Sequence, residues 1–174
     1  MVDGQSPPER REVTHDPTMR PAPGGPIEDR RQRAIAHLNR FLADEQAAVE
    51  SYARTHPCAG HDASPDWTIC LMSHRRQATL IAQRIKHLGG HPTTACEPWP
   101  AITQSLDQPS GSIATRKALR AGEDRSLAGY LSRMPDLDDD SRLLVEQELR
   151  PAQFRTHEAA RRICAAEWTQ KHSP

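Results

Sequence analysis

Apolar side chains recur every three or four residues through long stretches free of proline, and these stretches are separated by short segments in which proline and glycine cluster. From about Ile27 to Thr55 neither Gly nor Pro interrupts, and Ile35, Leu38, Leu42, Glu45, Val49 and Tyr52 follow steps of 3, 4, 3, 4 and 3. That is the spacing of one helix face. A second such face, Leu71, His74, Ala78, Ile81, Ile85 and Leu88, predicts a helix from about Trp67 to Leu88, with Ser64-Pro65-Asp66 as its start and Gly89-Gly90 as its stop. The third helix is placed from about Ser110 to Arg133, with Ile113, Leu119, Glu123, Leu127, Tyr130 and Met134 along one side. Gly122 and Gly129 weaken it by ~1 kcal/mol each relative to Ala. A fourth helix is expected from the Pro135-Asp138 turn to about Gln170, its apolar side formed by Val145, Leu149, Ala152, Thr156, Ala160 and Ile163, with Gln153 and His157 at the edge. Pro151 falls inside that run and must remove one backbone hydrogen bond, giving a kink or a bulge.

The connections separate two hairpins. Residues 91–109 carry four prolines and no helical period, so they predict an irregular crossover long enough to run the length of a bundle. Residues 1–26 hold six of the fifteen prolines and few apolar side chains, which predicts a disordered tail ahead of a single helical domain over 27–172. Helix, short loop, helix, long crossover, helix, short loop, helix is the order of an all-α four-helix bundle with approximate two-fold symmetry. The low aromatic content, 4%, and the scarcity of Val and Ile point the same way.

Composition narrows the partners. Lys+Arg and Asp+Glu are 23 each, so no charge imbalance favours nucleic acid or an anionic membrane, and no apolar run reaches the ~18 residues that span a bilayer. The expectation is a cytoplasmic protein, with a homodimer through one helical face as the partner suggested and no other protein identified. Cys58, Cys70, Cys96 and Cys164 form no CxxC and are expected as free thiols. His56, Cys58, His61 and Asp62 have the residue types of a metal site, but Pro and Gly lie among them and an ordinary connecting loop is the better reading. Trp67, Trp99 and Trp168 read as packing or interface anchors. The arginine pairs, such as Arg75-Arg76, read as solvated faces.

The chemistry lies in the seams. EQAAVESY, Glu45 to Tyr52, returns in outline as EDRSLAGY, Glu123 to Tyr130, and these hold the two tyrosines of the chain. Seven residues are two helical turns, so each Glu shares a face with a Tyr about 10 Å further along. His74 in the second helix is answered by His157 in the fourth. A carboxylate in an apolar seam is costly unless it is paired, hydrogen-bonded or metal-bound. Two readings therefore stand: a structural one, in which Glu45 and Glu123 are hydrogen-bonded by Tyr52, Tyr130 or a histidine and set the register of the bundle, and a ligating one, in which imidazole and carboxylate hold a divalent ion.

The E-x6-Y spacing on helices one and three, the long crossover and the histidines on helices two and four resemble the ferritin-like superfamily of di-iron-carboxylate bundles. RIKHLGGHP (Arg84 to Pro92), ALRAGEDRSLAGY (Ala118 to Tyr130) and LRPAQFRTH (Leu149 to His157) resemble, over roughly residues 30 to 165, a bacterial ferritin-like family described as a domain of unknown function. The resemblance implies a metal site of Glu45, His74, Glu123 and His157, taking iron or manganese, with Tyr52, Tyr130, Gln77 and Gln153 around it. It implies a role in metal handling or the oxidative-stress response. The chain departs from that pattern where Glu-x-x-His belongs on helices two and four. Helix two reads His74-Arg75-Arg76-Gln77, and three residues before His157 stands Phe154, with Gln153 one place earlier. Two bridging carboxylates are missing, so a complete dinuclear centre is not expected, and the sequence assigns no catalytic residue. The alternative expectation is a metal-free structural or protein-interaction module.

Overall fold

The computed structural model describes residues 26–55, 65–106, 111–132 and 134–171, and among them no residue is in a strand. The proline-rich segment before residue 26 and the loop bearing His56, Cys58, His61 and Asp62 lie outside the described residues, as does the side chain of Trp168. Four long helices, α1 (Pro26–Thr55), α2 (Pro65–His87), α4 (Gly111–Ser132) and α6 (Arg150–Lys171), make the bundle. Two short ones, α3 (Pro100–Leu106) and α5 (Asp139–Leu144), lie in the connections. No helix among the described residues is long and apolar enough to cross a membrane.

Side-chain contacts fix the register. Glu45 meets His74 and Tyr52 meets Trp67, so α1 and α2 are antiparallel. Tyr52 meets Glu123 and Tyr130 meets Glu45, so α1 and α4 are antiparallel as well. Arg76 pairs with Glu148 and Arg162 with Asp66, which runs α6 antiparallel to α2. The crossover must therefore return along the bundle. It does so strapped to α1: Asn39 accepts from the Thr93 N–H at 2.7 Å and donates to the His91 carbonyl at 3.1 Å, and the Trp99 N–H donates to Ser51 Oγ at 2.9 Å. Gly89, at φ 74°, turns the chain out of α2 in the left-handed conformation that glycine adopts without strain.

Two expectations about the connections need correction. The crossover is not wholly irregular, because Pro100 starts the short α3, which buries Ile102 and Ser105 against the core. Nor is the fourth helix one continuous element. A 3₁₀ turn (Met134–Asp136), α5 and a π-helical turn (Val145–Leu149) precede α6. The widened turn ends where the Arg150 N–H bonds the Val145 carbonyl, and Pro151, which has no N–H to offer, follows directly. The bulge expected around Pro151 thus falls just before it.

The apolar core forms two layers. Leu38, Phe41, Leu42, Ile81, Ile85, Tyr130, Val145 and Leu149 pack in one, and Ala48, Tyr52, Trp67, Cys70, Trp99, Ile102, Leu119 and Ile163 in the other. Each layer contains one of the two tyrosines. Both tyrosyl hydroxyls reach the buried polar side chains that gather between the layers.

Candidate polar centre of the bundle

Six inward positions on four helices supply this centre. Glu45 comes from α1, His74 from α2, Glu123 from α4, and Gln153 and Thr156 from α6; all are at most 1% exposed. Gln77, one turn beyond His74, is equally buried. The E-x6-Y repeat places the tyrosines, but not as partners of the glutamate on their own helix. An offset of about 10 Å exceeds hydrogen-bond reach, and the antiparallel pairing of α1 with α4 brings each tyrosine to the opposite carboxylate instead. Tyr52 donates to Glu123 Oε1 at 2.7 Å and Tyr130 donates to Glu45 Oε1 at 2.6 Å.

His74 lies between the two carboxylates. Its Nδ1 is 2.7 Å from Glu45 Oε2 and its Nε2 is 2.9 Å from Glu123 Oε1. A neutral imidazole has one N–H and could serve only one of them; an imidazolium serves both. Burial opposes charge on the ring, but the Glu123 and Glu45 carboxylates outweigh it and raise the His74 pKa from 6.5 to about 10. Burial likewise works against ionised Glu123, yet His74, Tyr52 and Thr156 together hold its pKa below the ordinary carboxylate value. Burial, then the neighbouring carboxylates, push both tyrosines well above 10, so they remain donors.

The remaining oxygen of Glu123 is also engaged. Gln153 Nε2 donates to Oε2 at 2.6 Å and Thr156 Oγ1 donates at 2.9 Å. Glu123 therefore accepts four hydrogen bonds and Glu45 two, one on each of its oxygens. The amide oxygens of Gln77 and Gln153 are buried and have no protein donor.

Of the side chains expected at the site, the structure brings Glu45, His74 and Glu123 together, with Tyr52, Tyr130 and Gln153 against them. It does not bring His157 to them. The His157 ring sits at the bundle edge, its Nε2 2.7 Å from Asp124 Oδ1. Gln153, expected at the edge, is fully buried; His157 stays at the edge, and Thr156, on the apolar side as its spacing predicts, makes the contact with Glu123 that His157 does not. Sequence reasoning missed Thr156 as a member of the site because a threonine in an apolar seam carries no chemical signal of its own. The available signal was spacing: Gln153-x-x-Thr156 has the same three-residue step as His74-x-x-Gln77. Di-iron-carboxylate bundles present Glu-x-x-His at this same i, i+3 spacing.

The side chains as arranged do not fit a metal pair. An ion needs lone pairs converging on one point at ~2.0–2.2 Å, and ligating imidazole must be deprotonated at the coordinating nitrogen. Here both ring nitrogens face carboxylate oxygens at hydrogen-bond distance, and every carboxylate oxygen already accepts from a protein donor. No group of three or more His, Cys, Asp and Glu among the described residues is arranged to hold a metal ion.

No protein-family model matches the chain, and no curated protein matches it. Among solved structures, one titled as ferritin like, diiron-carboxylate proteins from Bacillus anthracis str. Ames aligns with a TM-score of 0.62 at 20% identity. The alignment covers 78% of this chain and 97% of that one. At this identity the likeness is one of fold: the chain is a ferritin-like helical bundle.

Proposed function

We propose that this ferritin-like bundle acts as a metal-free binding module, its central cluster setting the register of the helices and its outer surface meeting another protein. The observation that carries this reading is the His74 ring, bonded at 2.7 and 2.9 Å to the two carboxylates that a metal would need. A positively charged side chain already stands between the buried acids, where a metal ion would have to sit. The cluster is closed to solvent at 0–1% exposure, which suits a structural network better than a centre that must admit substrate.

The surface feature that supports a contact is the α2–α6 face. Ile69, Met72 and Phe154 are each about half exposed there, beside Arg155, Glu158 and Arg162. A second copy of the chain is the partner proposed for it. Arg162 is paired with Asp66 and Glu158 with Arg161, so two copies related by a two-fold axis would meet over apolar side chains with most of the charge on this face already paired.

A second reading has one specific support: the aligned structure is titled as diiron-carboxylate proteins, and Glu45 and Glu123 converge here from the two hairpins. In it, iron or manganese binds between those carboxylates, in metal handling or the response to oxidative stress, once His74 has moved aside. Elemental analysis of protein purified without chelators, then offered Fe(II), Mn(II) and Zn(II), separates the two. The module reading expects substoichiometric metal in the parent and no change in Glu45→Ala or Glu123→Ala. Stoichiometric metal in the parent that is lost in both variants would overturn it in favour of the second.

A further inference from the structure

We infer that the centre of this bundle is a cation site whose resident cation is the side chain of His74, so that divalent metal is excluded by the ring and admitted when the ring is removed. The inference rests on the metal-free reading above and extends it to what the site would hold. Two buried carboxylates facing one another require a positive charge or a proton between them. His74 reaches this position from α2, at a place where the architecture otherwise sets one of its metal ligands. The ring is held there by the acids alone at its nitrogens and by the Tyr52 ring stacked on it, with centroids 5.6 Å apart and planes 24° from parallel.

Removing the imidazole while keeping the backbone leaves a pocket of oxygen ligands. Glu45 and Glu123 supply carboxylates from opposite hairpins, and Thr156 supplies a hydroxyl that already touches Glu123 Oε2. Gln153, whose amide N–H already donates to Glu123 Oε2, adds an amide oxygen that lacks a protein donor, and Gln77 has a second such oxygen one turn along α2 from residue 74. Carboxylate, amide and hydroxyl oxygens are the ligands of hard divalent ions such as Mn(II). The same pocket would also accept free imidazole, which restores the missing ring itself. Two chemically unlike additives should thus correct one deletion, because each returns positive charge to the same place.

The test compares the parent, His74→Ala and His74→Ala/Glu45→Gln, each with MnCl2 and, separately, with imidazole at pH ~6, where free imidazole is largely protonated. Bound manganese is counted by loss of the free-ion EPR signal, and stability is followed by thermal melting. The parent should bind no manganese at the centre and show no shift in Tm with either additive. His74→Ala should melt lower than the parent, bind about one equivalent, and gain roughly 5–10 °C at a hundredfold excess over Kd. Imidazole should raise its Tm in the same sense. The double variant should lose most of the manganese response. If His74→Ala does not fold unaided, recovery of helical circular dichroism on refolding with MnCl2 or imidazole reads the same property, and His74→Asn supplies a milder deletion. A His74→Ala protein indifferent to both additives overturns the inference while leaving the metal-free reading intact. Stoichiometric manganese in the parent that disappears in Glu45→Gln overturns both.

Discussion

Raising the pH removes the proton that joins the two halves of the cluster, and the loss of stability can be worked from the structure. The His74 pKa is raised from 6.5 to about 10 because two carboxylates flank a buried ring. Above pH 6.5 the unfolded chain gives up this proton while the folded chain keeps it, so the folded state holds more protons and stability falls as pH rises. The contribution is fully present below pH 6.5 and is lost as pH passes through about 10. Each tenfold difference in proton affinity between the two states is worth ~1.4 kcal/mol, so the whole contribution is ~5 kcal/mol, and the fall between about pH 7 and pH 8.5 is ~2 kcal/mol.

That window is the informative one. Cys70, raised by burial from 9.0 to about 12, and both tyrosines, raised from 10.0, also hold protons more tightly when folded, but their unfolded forms ionise only near pH 9 and above. Urea denaturation of the parent in small steps from about pH 6 to 9 measures the slope, and His74→Gln, a neutral hydrogen-bonding replacement, subtracts every other titration. The parent should lose ~2 kcal/mol across roughly pH 7–8.5 and the variant much less. A parent whose unfolding free energy is flat or rising over that interval would mean that His74 carries no extra proton in the folded state. Glu123 acts at the other end. Its lowered pKa supplies stability above its ordinary value of 4.5 that is lost as pH falls through the folded value.

Three further substitutions probe how the cluster and its frame are held. Tyr130→Phe should destabilise more than Tyr52→Phe, by up to ~1.5–3 kcal/mol in thermal or urea unfolding, because Glu45 then keeps one donor whereas Glu123 keeps three; equal losses would contradict this count. Gly122→Ala should lower Tm despite the better helix propensity of alanine, since a Cβ there would overlap the Trp99 ring, and ~1–3 kcal/mol is the expected cost; a gain would show that Trp99 moves freely. His157→Ala should cost under ~1 kcal/mol by the same assay, because its ring pairs with Asp124, which is 55% exposed; a loss as large as that for His74→Ala would return His157 to the site.

The four long helices were legible because periodicity reports burial directly. Leu38, Leu42, Glu45 and Tyr52 on α1, and His74, Ile81 and Ile85 on α2, are buried as their 3–4 spacing requires. The identity of the inner polar pair on the last helix was not legible. Val145, Leu149, Ala152, Thr156, Ala160 and Ile163 form the apolar side that their spacing predicts and all are buried, yet residue type alone favours His157 over Thr156 as the group with chemistry. Side-chain orientation one residue from an established seam decides which group reaches the centre, and a lone histidine beside that seam gives no sign of whether it turns in or out. Trp99 shows the same limit from the other direction. Gly122 reads from sequence as a weak point in α4, but a glycine is what lets the crossover tryptophan lie against that helix and close the core.

The near symmetry of the two hairpins also explains why the centre is lopsided. Glu45 and Glu123, and Tyr52 and Tyr130, occupy equivalent places, and a single imidazole cannot be shared symmetrically with respect to the helix that carries it. With one imidazolium between two carboxylates, one negative charge is left over, and neutral donors must spread it. They do so on one side: Gln153 and Thr156 both serve Glu123, which also faces His74 and Tyr52, whereas Glu45 has Tyr130 and His74 alone. A symmetric Glu-x-x-His on both α2 and α6 would supply ligands to two equivalent ions. His74-x-x-Gln77 facing Gln153-x-x-Thr156 supplies instead one charge and a set of neutral hydrogen-bonding groups. In this bundle the four inward helix faces therefore meet through a salt-bridged cluster.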